Sequence, residues 1–97
     1  MKRFEWNEEK NKWLKENRGV SFEEVAELIT KGDVLDRLKH PNNQKYPRQL
    51  IFVVKLRDYV YFVPFVEDGE KYFLKTIIPS RKAKRDYLKK LTKEKYD

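Results

Sequence analysis

The sequence predicts a small α+β domain: an antiparallel sheet with two helices before it and one after it. Three observations carry this. Apolar residues recur at helical spacing in residues 8–29, three apolar runs follow between 49 and 78 with only short polar breaks, and Pro79–Ser80 opens a last, strongly basic segment. Helices grouped before and after a run of strands make α+β rather than an alternating parallel architecture.

Taken in order, KRFEW sets Phe4 and Trp6 between charged neighbours, which suits a short edge strand. Asn7 is the expected N-cap of a helix over EEKNKWLKEN, with Glu8 and Glu9 in the first turn and Gly19 past the end. Trp13 and Leu14 are its apparent apolar anchors. Ser21 and Glu24 form an S-x-x-E capping box. Phe22, Val25, Ala26 and Ile29 then follow at i, i+3, i+4 and i+7 up to Gly32, an amphipathic helix. VLDRL, 34–38, reads as a strand, and HPNNQKYP as a loop.

QLIFVVKL, YVYFVPFV and KYFLKTII read as a meander broken by RD and EDGE, the second a hairpin turn. Pro64 inside the middle run calls for a bulge or a gap in the ladder. Ser80 then caps a helix whose sheet-facing stripe is Ala83, Tyr87, Leu88 and Leu91. The expected order is β-α-α-β-β-β-β-α.

Ninety-seven residues are enough for one modest core, so residues 1–97 are expected to form a single domain. Charged residues make up 40% of the chain, but an aromatic share of 14% argues for a folded core rather than disorder. There is no cysteine, which removes disulfides, thiolate zinc sites and cysteine nucleophiles. The charged N-terminus does not look like a signal peptide, and no apolar stretch approaches the roughly 20 residues that span a bilayer. A soluble, cytoplasmic protein without membrane partners is expected.

The net charge of +7 is concentrated at one end, since residues 79–97 hold eight basic and three acidic side chains. Arg81, Lys82, Lys84 and Arg85 fall in the first turns of the last helix, where the macrodipole favours anions over cations. Either solvent screens this misfit or an external anion completes the site. A clustered basic excess is the footprint of polyanion binding, although a solubilising helix has the same composition.

The single histidine, His40, excludes H-E-x-x-H sites, and three glycines supply neither a Walker A nor a G-x-G-x-x-G loop. No cofactor is expected. What remains is a set of Arg, Lys, Tyr and His40, suited to RNA cleavage in which the 2′-OH attacks its own phosphate. Guanidinium and ammonium groups stabilise the developing phosphorane charge while a Lys, Tyr or His moves protons. Arg81, His40 and Lys75 are the candidate catalytic residues, and Lys82, Lys84, Arg85 and Arg37 the candidate phosphate contacts. Each has a bland counterpart: a solvated helix start for the terminal cluster, the solvent face of a strand for Lys75, a turn for His40.

FEWNEEKNKWLKENRGVSFEEVAELI resembles the opening of BrnT-like toxins, and IIPSRKAKRDY resembles their closing I-I-S-A-R-[KR]-A-T-x-x-E. The resemblance runs along nearly the whole chain. It implies a RelE-like fold and a ribonuclease toxin of a type II toxin–antitoxin pair, which stops translation by cutting RNA and is silenced by a bound antitoxin. On that basis Arg81 matches the motif arginine, Lys82 and Ala83 match the next two positions, and His40 is equivalent to a histidine after the second strand. The chain departs at Lys84, where the family usually has Thr, at Tyr87, where it usually has Glu, and at Thr76, which replaces a frequent strand arginine. Lys75, one residue away, is expected on the other face of its strand. The expected partners are RNA, on or off the ribosome, and an antitoxin. The alternative is a non-catalytic nucleic-acid-binding or protein-interaction module, the latter using whichever of Phe52, Tyr59, Tyr61 and Phe73 are exposed.

Overall fold

The computed structural model describes residues 3–39, 44–45 and 49–86. Its elements are β1 (Arg3–Trp6), α1 (Glu8–Arg18), α2 (Phe22–Thr30), β2 (Asp36–Lys39), β3 (Gln49–Leu56), β4 (Tyr59–Asp68), β5 (Lys71–Leu74) and β6 (Ile78–Pro79). A last helix, α3, is described over residues 81–86. Tyr87, Leu88, Leu91 and the loop residue His40 lie outside the described residues.

The helix ends follow the chemistry of their caps. Asn7 accepts from the Lys10 amide at 3.0 Å, and Gly19 closes α1 at φ 66°. Ser21 accepts from the Glu24 amide at 3.2 Å. At the other end of α2, the Gly32 amide bonds Ile29 O and the Asp33 amide bonds Leu28 O. That pair is a Schellman closure, and it requires the left-handed φ of 76° that Gly32 supplies.

The sheet runs β1-β5-β4-β3-β2, antiparallel throughout except that β1 joins β5 in parallel, making a mixed sheet rather than the expected antiparallel one. A parallel neighbour needs a long crossover. Here α1, α2 and the strands β2 to β4 separate β1 from β5, so no local turn could have announced the pairing.

The sheet buries residues on both faces. Phe52, Val54, Leu56, Val63, Phe65, Leu74 and Ile77 pack with Leu14, Phe22 and Val25 of the N-terminal helices and with Val20 between them. On the opposite face Val53 and Val60 receive Ala83 of α3. The alternating parity of β3, Phe52 and Val54 one way and Val53 the other, explains why QLIFVVKL is continuously apolar.

Two local expectations need correction. Trp13 is 42% exposed and is no core anchor. The inward face of α1 is Asn11, Leu14 and Arg18, at i, i+3 and i+7, and Asn11 is fully buried. Its amide donates to Glu23 Oε1 while its carbonyl oxygen accepts from the Phe22 amide at 2.8 Å. The second correction concerns KYFLKTII, which forms two strands, not one. β5 ends at Leu74, β6 begins at Ile78, and Pro64 of β4 stands beside the break. With no N–H to donate, Pro64 contributes only its carbonyl, which takes the Lys75 amide at 2.8 Å.

Candidate functional site

The break beside Pro64 shapes the region around the basic residues. β4 pairs Phe65 with Leu74 and Phe62 with Ile78, so two residues of β4 face three of the neighbouring chain. This is a bulge. Leu74 and Ile77 both enter the helix-side core, three positions apart, where strict alternation would place core residues two or four apart. Lys75 is exposed and Thr76 half-buried.

The edge formed by residues 75–80 is held at both ends. Arg18 of α1 donates its guanidinium to the Ile77 carbonyl, and the Ser80 amide donates to Val60 O at 3.0 Å. Ser80 then caps α3, its hydroxyl accepting from the Ala83 amide at 3.1 Å and its carbonyl from the Lys84 amide at 3.0 Å. Ala83 turns into the sheet, which leaves Arg81, Lys82 and Arg85 exposed. Among the described residues Arg81 and Lys82 form no ion pair, while Arg85 reaches Asp86 at 3.8 Å. Lys84 lies over the Tyr59 ring, its Nζ 4.9 Å from the centroid, and Tyr59 packs beside Tyr61 at 5.5 Å.

The structure brings some of the expected residues together and separates others. Lys75 and Arg81 share one edge of β4. The Lys75 amide is anchored on Pro64 and the amide of Ser80, next to Arg81, on Val60, four residues apart on β4, about 13 Å at ~3.3 Å rise per residue. Lys75 also borders a shallow groove of about 340 Å³ with Glu5, Val66, Asp68, Lys71 and Phe73, and its Nζ stands 5.9 Å from the Phe73 centroid. Arg37 is elsewhere. It sits on β2, two strands beyond β4's other edge, on the helix-side face, where it bonds Glu67 at 2.8 Å and lies over Phe52 and Phe65. The position of His40 falls outside the described residues.

Several residues around this edge escaped the sequence reading. Arg18, in the last turn of α1, was not among the candidates, because its acceptor is a backbone carbonyl 59 positions away. Arg57 ties the β3–β4 hairpin to the α1–α2 junction through the Gly19 carbonyl and the Glu24 carboxylate. That contact, with help from Ser21, holds the Glu24 carboxyl below its ordinary range. The Asn11 amide, against the smaller cost of burial, does the same for Glu23.

Among the described residues, no group of three or more His, Cys, Asp or Glu side chains is placed to hold a metal ion. No helix among them is long and apolar enough to cross a membrane. Comparison with curated proteins and with solved structures gives no match. The family model described as the ribonuclease toxin BrnT of type II toxin–antitoxin systems matches residues 6–86. The chain belongs to the BrnT family. Membership implies RNA as substrate and an antitoxin protein as partner. The matched span of this BrnT chain includes α1, the bulged edge and the described part of α3.

Proposed function

We propose that the chain is a metal-independent endoribonuclease whose site lies along the edge from Lys75 to Arg85, and that it arrests growth by cutting RNA needed for translation. The observation carrying this reading is the exposed pair Arg81 and Lys82, which no acidic side chain among the described residues neutralises. A guanidinium held beside a strand end can clamp a phosphate with two parallel hydrogen bonds.

In the proposed reaction the 2′-oxygen bonds to the adjacent phosphorus and the bond from phosphorus to the 5′-oxygen breaks. The products are a 2′,3′-cyclic phosphate and a free 5′-hydroxyl. Arg81 stabilises the charge on the non-bridging oxygens as the phosphorane forms. Lys75 shares that charge, and His40 moves the proton between the 2′-hydroxyl and the leaving 5′-oxygen. Lys82, Lys84 and Arg85 hold flanking phosphates. Arg37 is proposed as a more distant phosphate contact, reached only by RNA long enough to cross the sheet and able to draw it from Glu67. In this reading the 97 residues are one RelE-like toxin domain working in the cytoplasm, and acidic antitoxin side chains cover the basic edge in the neutralised complex.

Pulsed expression of the wild type beside Arg81→Ala, with growth curves and mapping of RNA 5′ ends, tests this. New ends and arrest in the wild type, both lost in a well-folded Arg81→Ala protein, are the expected result. Cleavage by purified toxin that survives chelation supports metal independence. Arrest without new ends points to a non-catalytic binder, and intact cleavage by Arg81→Ala removes that residue from the site.

A further inference from the structure

Trp13 presents 42% of its surface to solvent, and two cations lie over its ring: Lys10 Nζ at 4.6 Å and Arg18 Cζ at 5.0 Å. Arg18 is the residue whose guanidinium bonds the Ile77 carbonyl, so this cation–aromatic cluster borders the bulged edge. At the other end of that edge, Lys84 covers half-buried Tyr59, beside Tyr61, and Tyr61 stands opposite Pro79 in register. β1 pairs β5 only over Lys71–Leu74, so no strand among the described residues flanks 75–79 on the outside. An open edge of the sheet thus runs between two rings, each with a cation over it.

We propose that Trp13 and Tyr59 are base-stacking stations for single-stranded RNA lying along this edge. The inference rests on the ribonuclease reading above and assigns residues that it does not use. A ring with cations at its face suits a ligand that brings both a π surface and negative charge, and a nucleotide brings both. An apolar peptide would strand the cations, and an acidic peptide would leave the indole without a stacking partner. Bases paired in a duplex keep their faces inside the helix, so the strand must be single. Lys10 and Lys84 move from the rings onto the phosphates as bases take their places, while Arg18 keeps its bond to the Ile77 carbonyl.

The test uses a short single-stranded oligodeoxynucleotide, which lacks the 2′-hydroxyl and so cannot undergo the proposed cleavage. Tryptophan emission is followed on titration, with Trp13→Leu as the blank that isolates Trp13 from Trp6. The expected result is quenching by the single strand and none by the same sequence in a duplex. Trp13→Leu and Tyr59→Leu should each weaken binding roughly tenfold, while Tyr59→Phe binds as the wild type does. Leucine keeps apolar bulk, and the wild-type quench needs no variant at Tyr59, so a misfolded mutant does not decide the matter. Absence of Trp13 quenching at saturation, or leucine variants with wild-type affinity, overturns the proposal. The two readings fail separately: Arg81→Ala should abolish cleavage yet keep the quench at saturation, and a wild type that binds with quenching but never cuts RNA refutes only the ribonuclease assignment.

Discussion

Replacing Asn11 by leucine isolates the polar clamp between α1 and α2. Asn11 is fully buried, with its amide on Glu23 Oε1 and its carbonyl oxygen on the Phe22 amide. Leucine is close to asparagine in length and opens no large cavity, so the change is one of hydrogen bonding. The Phe22 amide is in the first turn of α2, where no intrahelical acceptor exists, and it is buried. Leaving it unsatisfied costs about 1–3 kcal/mol. Glu23 loses its amide partner too, but its side chain is 53% exposed and water replaces much of that bond. The added apolar burial of leucine offsets about 1 kcal/mol. A net loss of up to about 2 kcal/mol is expected, lowering Tm by up to roughly 16 °C for a domain of this size. Urea and thermal unfolding measure the loss, and hydrogen exchange at the Phe22 amide locates it. A loss under about 0.5 kcal/mol with Phe22 still protected would refute the reasoning, because the amide would then have another acceptor. Asn11→Asp keeps that acceptor but sets a carboxylate against Glu23, so its defect should shrink as acid protonates one of the two.

The Glu24 carboxyl is lowered chiefly by Arg57, so its contribution is complete above the unfolded-state value of 4.5 and is lost as pH falls through the lower folded value. Unfolding midpoints of the wild type should drop in that acid window, and Arg57→Met should flatten the dependence. Arg57 and Asp58 form the β3–β4 turn at φ 49° and 66°, a left-handed pair that glycine adopts without a Cβ penalty. Asp58→Gly, which gives up only a 3.8 Å contact with Lys55, should therefore raise stability by about 0.5 kcal/mol in urea unfolding. Ala83→Leu overfills the contact of α3 with Val53 and Val60 and should cost about 1–3 kcal/mol. Because the basic edge continues directly into α3, limited proteolysis should also cut this variant faster near residue 83.

The sequence alone determined what depends on near neighbours along the chain. Asn7, Ser21 and Gly32 act as caps because a cap needs only the next few amides or carbonyls. The strand runs, the gap that Pro64 demands and the basic cluster after Ser80 are equally local, since each follows from the residue's own backbone or charge. Tertiary structure decided everything that depends on a distant partner. Nothing near Phe4 says that it lies beside Tyr72, and nothing near Arg18 says that its acceptor is Ile77 O. Trp13, expected as an anchor, lies outside and Asn11 inside because α1 presents whichever face meets α2, and a buried asparagine is tolerated there only through its two partners. The same holds for the candidate site. The basic residues were legible as a run of charge. That Lys84 meets Tyr59, and that Arg18 lies over Trp13 while bonding Ile77 O, depends on groups far apart in the chain and was not.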